Sequence, residues 1–224
     1  MLRILLGSSP LAALSLLATP ALANEEDANI WLAQTSTINL GGDTTLWLEA
    51  QERFTNDASR LGQLLIRPAI GYKLDGTTTV SIGYAYVHTD PLAGASSDEH
   101  RLFQQLSTRL VGNGRNVTLT SRTRLEQRTF ENQDGIGWRL RQQLRVSAPL
   151  MGDARFALWT EPFIGFNQTS FQRDGIGLWR NFAGITVPVS RQLSLEPGYL
   201  NQQVRRVGRD RTDHVASLTL STNF

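Results

Sequence analysis

The stretch GWRLRQQLRVSAPL, residues 137–150, alternates almost without a break. Trp138, Leu140, Leu144, Val146, Ala148 and Leu150 share one parity; Arg139, Arg141, Gln143, Arg145 and Ser147 share the other. Successive side chains of a β-strand point to opposite faces, so this segment reads as a strand with one greasy and one charged face. The same pattern recurs upstream. In 117–129, Val117, Leu119 and Leu125 oppose Arg122, Arg124, Glu126 and Arg128. In 46–54, Leu46, Leu48, Ala50 and Phe54 oppose Glu49, Gln51 and Arg53, and in 64–74 a run from Leu64 to Leu74 opposes Arg67 and Lys73.

Helical periodicity is almost absent after residue 23. Turn signals such as GGD (41–43), TNDAS (55–59), DG (75–76), GNG (112–114), MGD (151–153) and RDG (173–175) divide the alternating runs. Eleven strand candidates result: 28–40, 44–54, 61–74, 77–89, 99–111, 116–130, 137–149, 155–167, 178–189, 193–206 and 213–224. Regularly spaced strands without helices point to an all-β sandwich or barrel.

The polar face decides between these. A sandwich meets water with a mixture of Lys, Glu, Ser and Thr. Here the basic residues are 21 Arg and a single Lys, Lys73, and Arg is the residue of fixed, multidentate ion pairs. The strands also exceed the usual five or six residues and reach the roughly 9 to 11 needed to cross a bilayer at a tilt. A transmembrane barrel, with its apolar face on lipid and its polar face inside, fits both facts, and it must close because lipid offers no partner to a free sheet edge.

The N-terminus supports export. Residues 1–23 carry Arg3, an apolar stretch and the small-x-small triplet Ala21-Leu22-Ala23, which reads as a secretory signal cleaved before Asn24. The expected mature domain is 24–224, placed in the bacterial outer membrane. There is no cysteine to stabilise it. Nucleic acid is excluded as a partner, because the arginines alternate with apolar residues instead of forming a run. The expected partners are outer-membrane lipid, lipopolysaccharide and, during biogenesis, the barrel assembly machinery. The terminal Phe224, preceded by Ala216, Leu218, Leu220 and Thr222 on the same face, resembles the signal that machinery reads.

Counting back from a last strand that ends in the periplasm puts the short turns at 41–43, 75–76, 112–115, 150–154 and 190–192 on that side. The segments near 55–60, 90–98, 131–136, 168–177 and 207–212 fall outside the cell, and they are longer on average. The polar residues on the lipid parity, Glu52, Gln104, Gln127, Gln142, Asn181 and Asn201, all lie towards the outer ends of their strands. Eleven strands ending in the periplasm would start the first one outside the cell, whereas bacterial barrels are usually even-numbered. The expectation is therefore ten to twelve strands, with 28–40 not a full barrel strand or another strand missed or split.

Seven ordered segments, LLIRPAIGYKL (64–74), SIGYAYVHT (81–89), EHRLFQQL (99–106), SRTRLEQR (121–128), GWRLRQQLR (137–145) and the pair NFAGITVPV with LSLEPGYLNQ (181–189, 193–202), resemble a bacterial family known as domain of unknown function 2490. The resemblance spans nearly the whole mature chain. It implies a secreted, β-rich, barrel-like protein of unassigned activity, and it supplies no catalytic residues.

The register places Arg53, Arg67, Arg101, Arg109, Arg122, Arg124, Arg128, Arg139, Arg141, Arg145, Arg155 and Arg180 inside, with Glu49, Glu99, Glu126, Glu161 and Glu196. One reading is a ladder of Arg–Glu pairs that rigidifies a filled barrel. The other follows from the surplus of Arg, since unpaired buried charge is very costly: a wet, positively biased lumen along strands five to seven, structural or forming a narrow anion-biased pore. The different class of function is a lipid-modifying enzyme at the outer rim, where His88, His100 and His214 lie. Such an enzyme needs a Ser beside a His, and His214 is followed by Val and Ala before Ser217. No metal spacing or cofactor fingerprint is present, so no cofactor is expected.

Overall fold

The computed structural model describes residues 25–206 and 208–224; the signal sequence expected over 1–23 lies outside them. Eleven strands follow one another: β1 (Glu25–Gly41), β2 (Thr44–Thr55), β3 (Arg60–Lys73), β4 (Thr78–Thr89), β5 (Ser97–Val111), β6 (Thr118–Phe130), β7 (Gln133–Pro149), β8 (Arg155–Gly165), β9 (Gly175–Pro188), β10 (Leu193–Val204) and β11 (Arg211–Asn223). Each pairs with its sequence neighbour in antiparallel fashion, and the sheet closes on itself. The alternation in sequence explains the strands, and closure leaves no edge for another chain to join.

The parity expectation is corrected. Residues 28–40 belong to a full strand, and no strand was missed or split. β1 closes the barrel against β11 in parallel, from Glu25 opposite Arg211 to Thr37 opposite Asn223. An even count is needed only if the closing pair is antiparallel; a parallel seam lets β1 start at the same end as β11. The seam continues to the last residue. The Phe224 N–H donates to the Thr37 carbonyl at 2.8 Å, and the Asn39 N–H donates to the Phe224 carbonyl at 2.8 Å. The terminal residue is therefore held in the sheet at both its backbone groups.

The end of the barrel that carries Phe224 is called here the terminal end, and the opposite one the loop end. Connections at the terminal end are 42–43, 74–77, 112–117, 150–154 and 189–192. Those at the loop end are 56–59, 90–96, 131–132, 166–174 and 205–210, and the longest of all is 166–174. In the turn at the terminal end of β3, the Asp75 carboxylate accepts the Thr77 hydroxyl and the N–H groups of Thr77 and Thr78, which holds its pKa below the ordinary value.

The apolar parity faces outward. Ile66, Ile70, Tyr72, Ile82, Leu102, Leu158 and many similar residues are exposed on the wall, a pattern that no water-solvated surface of this size carries. Four of the polar residues on this wall pair across strands. Gln104 and Gln127 exchange two amide hydrogen bonds, at 3.3 and 3.0 Å. Gln142 accepts from Thr123 at 2.6 Å and donates to Ser121 at 2.8 Å, and Thr160 donates to Asn181 at 2.8 Å.

Two large rings lie flat against the inside of the wall. Phe182 rests over Gly184 and Gly198; a Cβ on Gly198 would meet that ring and the Ala183 carbonyl, 2.8 Å away. Trp159 stacks on Phe182 with ring centres 5.2 Å apart, next to Trp31, Ala157, Leu200 and Val215. On the other side Phe103 covers Gly83, where a Cβ would also meet Ala69 at 2.7 Å.

Candidate functional site in the barrel interior

Hydrogen bonds between strands that are not neighbours can only cross the interior, and they define its contents. Arg122 of β6 donates to Glu161 of β8 at 2.8 Å. Arg145 of β7 reaches Glu196 of β10 at 2.9 Å and Thr186 of β9 at 3.3 Å. These contacts place charged groups of β6 to β10 in one shared space.

Two carboxylates organise the centre. Glu126 accepts from Arg139 at 2.9 and 2.5 Å and from Arg141 at 3.0 Å. Glu161 accepts from Arg141 at 3.1 and 2.9 Å as well as from Arg122. Arg141 thus bridges both acids with all three of its nitrogens. Further towards the loop end, Glu99 binds Arg101 at 2.7 and 2.6 Å and Arg128 at 2.5 Å. On the β2–β3 wall Arg67 donates to Glu49 at 2.6 Å.

The remaining arginines find other partners. Arg124 sends two N–H groups to Gln105, at 2.8 and 2.5 Å, and lies 4.2 Å from the centre of Phe103. Arg53 donates to Gln51 at 2.8 Å and Gln63 at 2.6 Å, over Trp31 at 3.9 Å. Arg180 donates its Nε to Gln202 at 2.8 Å and sits 4.8 Å from both Trp31 and Phe163. At the terminal mouth Arg109 binds the Gly76 carbonyl at 2.9 Å, and Arg155 binds the Asn116 carbonyl at 2.6 Å.

This partnering narrows the expectation of a wet lumen along strands five to seven: mid-height is filled, whereas Arg122 and Arg145, with side chains 25% and 26% exposed, still reach solvent towards the terminal end. Arg124, Glu126, Glu161 and Phe103 are each 1% exposed, and Leu65, Val87, Ala157 and Val215 are at 0%. The middle of the barrel is filled. Most N–H groups of the surplus guanidiniums meet amide oxygens, backbone carbonyls and ring faces, while Arg124 Nη1 and the Nε atoms of Arg67 and Arg122 are buried without an acceptor among the described residues. In the register Glu126 stands opposite Arg139, and Arg145 reaches across the interior to Glu196.

Above the filled middle a cavity of about 680 Å³ opens at the loop end, with Arg53, Arg101, Arg139, Arg180 and Trp31 among its walls. A second, of about 760 Å³, lies beneath the 166–174 connection and shares Arg128 and Arg139 with the first. That connection folds inward. Gln172 accepts from Arg128 at 3.2 Å and donates to the Trp138 carbonyl at 2.8 Å, and Phe171 packs on Phe130 at 4.6 Å.

Several interior residues escape a first reading of the sequence. Asp213 is 2% exposed and accepts from Gln202 at 2.5 Å and from Arg211, which brings Arg211 to the interior wall. Its parity with Val215 and Ser217 marks Asp213 as inward. Gln172 sits in an aperiodic loop, where alternation says nothing. The histidines all lie on the outer face. His88 pairs with Asp98 at 2.7 Å, which also accepts from Tyr86; His100 meets Tyr84 and Glu131; His214 meets Tyr199 at 2.6 Å.

A family model described as "Protein of unknown function (DUF2490)" matches residues 28–213. A protein of Methylorubrum extorquens, named only as uncharacterized, is 35% identical over 222 residues, covering 96% of each chain. Among solved structures, an anion-selective porin from Comamonas acidovorans aligns with 12% identity and a TM-score of 0.39, over 78% of this chain and 55% of the porin.

Proposed function

The chain belongs to the DUF2490 family, and from that premise we propose that it is a bacterial outer-membrane β-barrel whose lumen is closed at mid-height by its own side chains. It acts as a structural barrel that presents a cup with an arginine-rich floor to the outside, not as an open pore. The observation that carries this reading is the buried belt of Arg124, Glu126, Glu161 and Phe103, each 1% exposed. The outward Ile, Leu and Val side chains support a lipid surround.

In this reading the loop end faces the exterior and the terminal end the periplasm. Phe224, 65% exposed on the outer wall, stands at the periplasmic interface and serves as the recognition residue for barrel assembly. Arg173, Arg205 and Arg206 lie where lipopolysaccharide phosphates would meet them, and guanidinium grips phosphate in bidentate fashion. Tyr84, Tyr86, His88, His100, Tyr199 and His214 form a polar and aromatic belt at the outer-leaflet level.

The placement is tested by separating inner and outer membranes on a density gradient from cells that express the full chain. The protein is expected with the outer membrane, and to be lost from it when Phe224 is deleted. Recovery with the inner membrane, or in the soluble fraction, would contradict the placement.

A further inference from the structure

We infer that the floor of the loop-end cavity is a binding site for a small soluble oxyanion carrying at least two negative charges, of the phosphate or polycarboxylate type. The inference deepens the reading of that cavity as an outward-facing cup. Its core is the pair Arg53 and Arg180, which flank one indole: their guanidinium carbons lie 3.9 and 4.8 Å from the centre of Trp31. Two like charges on one ring repel each other, and an anion bound within reach of both would relieve that repulsion.

Among the described residues neither guanidinium has a carboxylate partner. Arg180 stands opposite Glu161 in the β8–β9 register, but Arg122 and Arg141 already occupy both oxygens of Glu161. Arg180 therefore turns to the neutral Gln202, and Arg53 to the neutral Gln51 and Gln63. The amides satisfy geometry and leave the charge in place.

Donors remain for a ligand. Among the described residues neither Nη of Arg180 has an acceptor, and neither has Nη1 of Arg101 or of Arg139; none of these atoms is among the sealed, unpartnered ones, and all four belong to side chains on the cavity wall. Of the acids on the wall, Glu99 is held by Arg101 and Arg128 and Asp213 by Arg211, while Glu26 and Asp57 are exposed at the loop end. Asp27 accepts the N–H groups of Asn56 and Asp57 at 3.2 and 3.0 Å, in a turn where Asn56, Asp57 and Ala58 have φ of 56°, 54° and 56°. Asp90 is paired with Arg60, and Glu25 with Arg206 at 2.9 Å. A cavity of about 680 Å³ lies within the range of small-molecule sites, and low-dielectric walls focus the potential of its floor. Trp31 and Phe163, at 4% and 3% exposure, are covered by the guanidiniums, so a ligand would meet charge and not ring faces.

The test is calorimetric titration of the full barrel in nanodiscs of neutral lipid with inorganic phosphate, sulfate and citrate, using chloride as the monovalent comparison. Saturable binding at one site is expected for the multivalent oxyanions. Arg180→Gln should weaken it about tenfold, the size of one charge-assisted hydrogen bond. Arg115→Gln, in the turn at the opposite end, should leave it unchanged, and the heat-modifiable gel migration of each variant checks that the barrel is folded. Repeating the titration in phosphatidylglycerol nanodiscs separates the sources: undiminished binding supports a soluble ligand, whereas loss of phosphate binding there would overturn the soluble assignment. Absence of saturable binding, or binding indifferent to Arg180→Gln in a folded barrel, would overturn the site. That failure is distinct from failure of the closed-barrel reading, which conductance measures separately.

Discussion

Glu161 illustrates how single residues keep the interior closed. At 1% exposure it accepts three hydrogen bonds from two arginines. Removing one partner of a buried pair leaves uncompensated charge and typically costs about 3–5 kcal/mol, whereas exposed pairs contribute about 0–1 kcal/mol. Glu161→Gln is therefore expected to lower the urea midpoint of the detergent-solubilised barrel strongly. Asp90→Asn, which breaks the exposed pair with Arg60, should barely move it; equal effects would contradict the lattice described here. Alternation alone placed Glu161, Arg141 and Arg180 on one parity, because period two follows directly from strand geometry. Which acid meets which arginine was not legible. Partner choice depends on barrel curvature and on competition, as when Arg122 and Arg141 take Glu161 and leave Arg180 to Gln202.

At the scale of elements, the decisive feature is the seam between β1 and β11. All eleven strands were legible, since apolar alternation and turn residues recur along the chain. The parallel seam was not, because alternation is the same in parallel and antiparallel pairs and bacterial barrels usually close with an even count. Its parallel pairing puts the Thr35 hydroxyl 2.9 Å from that of Ser221. The chain has no cysteine, so a Thr35→Cys, Ser221→Cys double variant can form only that one disulfide within a molecule. We expect it to form on oxidation and to alter gel migration reversibly with reductant. If the folded double variant stays reduced under oxidant, the seam does not have this register. The long 166–174 connection shows the other limit of sequence reading. Its inward course depends on Gln172 reaching Arg128 and the Trp138 carbonyl, contacts that have no local signature.

The whole molecule combines a lipid-compatible wall, a filled middle and an open cup at the loop end. Charge counting would fill such a barrel with water, but the amide and aromatic partners of the surplus arginines allow a filled centre. Closure is thus a property of the assembled barrel: Arg124 rests on Phe103 from β5, while Glu161 from β8 holds Arg122 from β6. The most direct measurement of this claim is single-channel recording of the purified full barrel in a planar bilayer. The wild-type protein is expected to insert without conductance steps. Opening is expected only when the belt is cut, as in a Phe103→Ala, Arg124→Ala variant, and the reversal potential in a salt gradient should then show preference for anions. Long-lived conductance steps from the wild-type barrel would contradict a lumen closed by its own side chains.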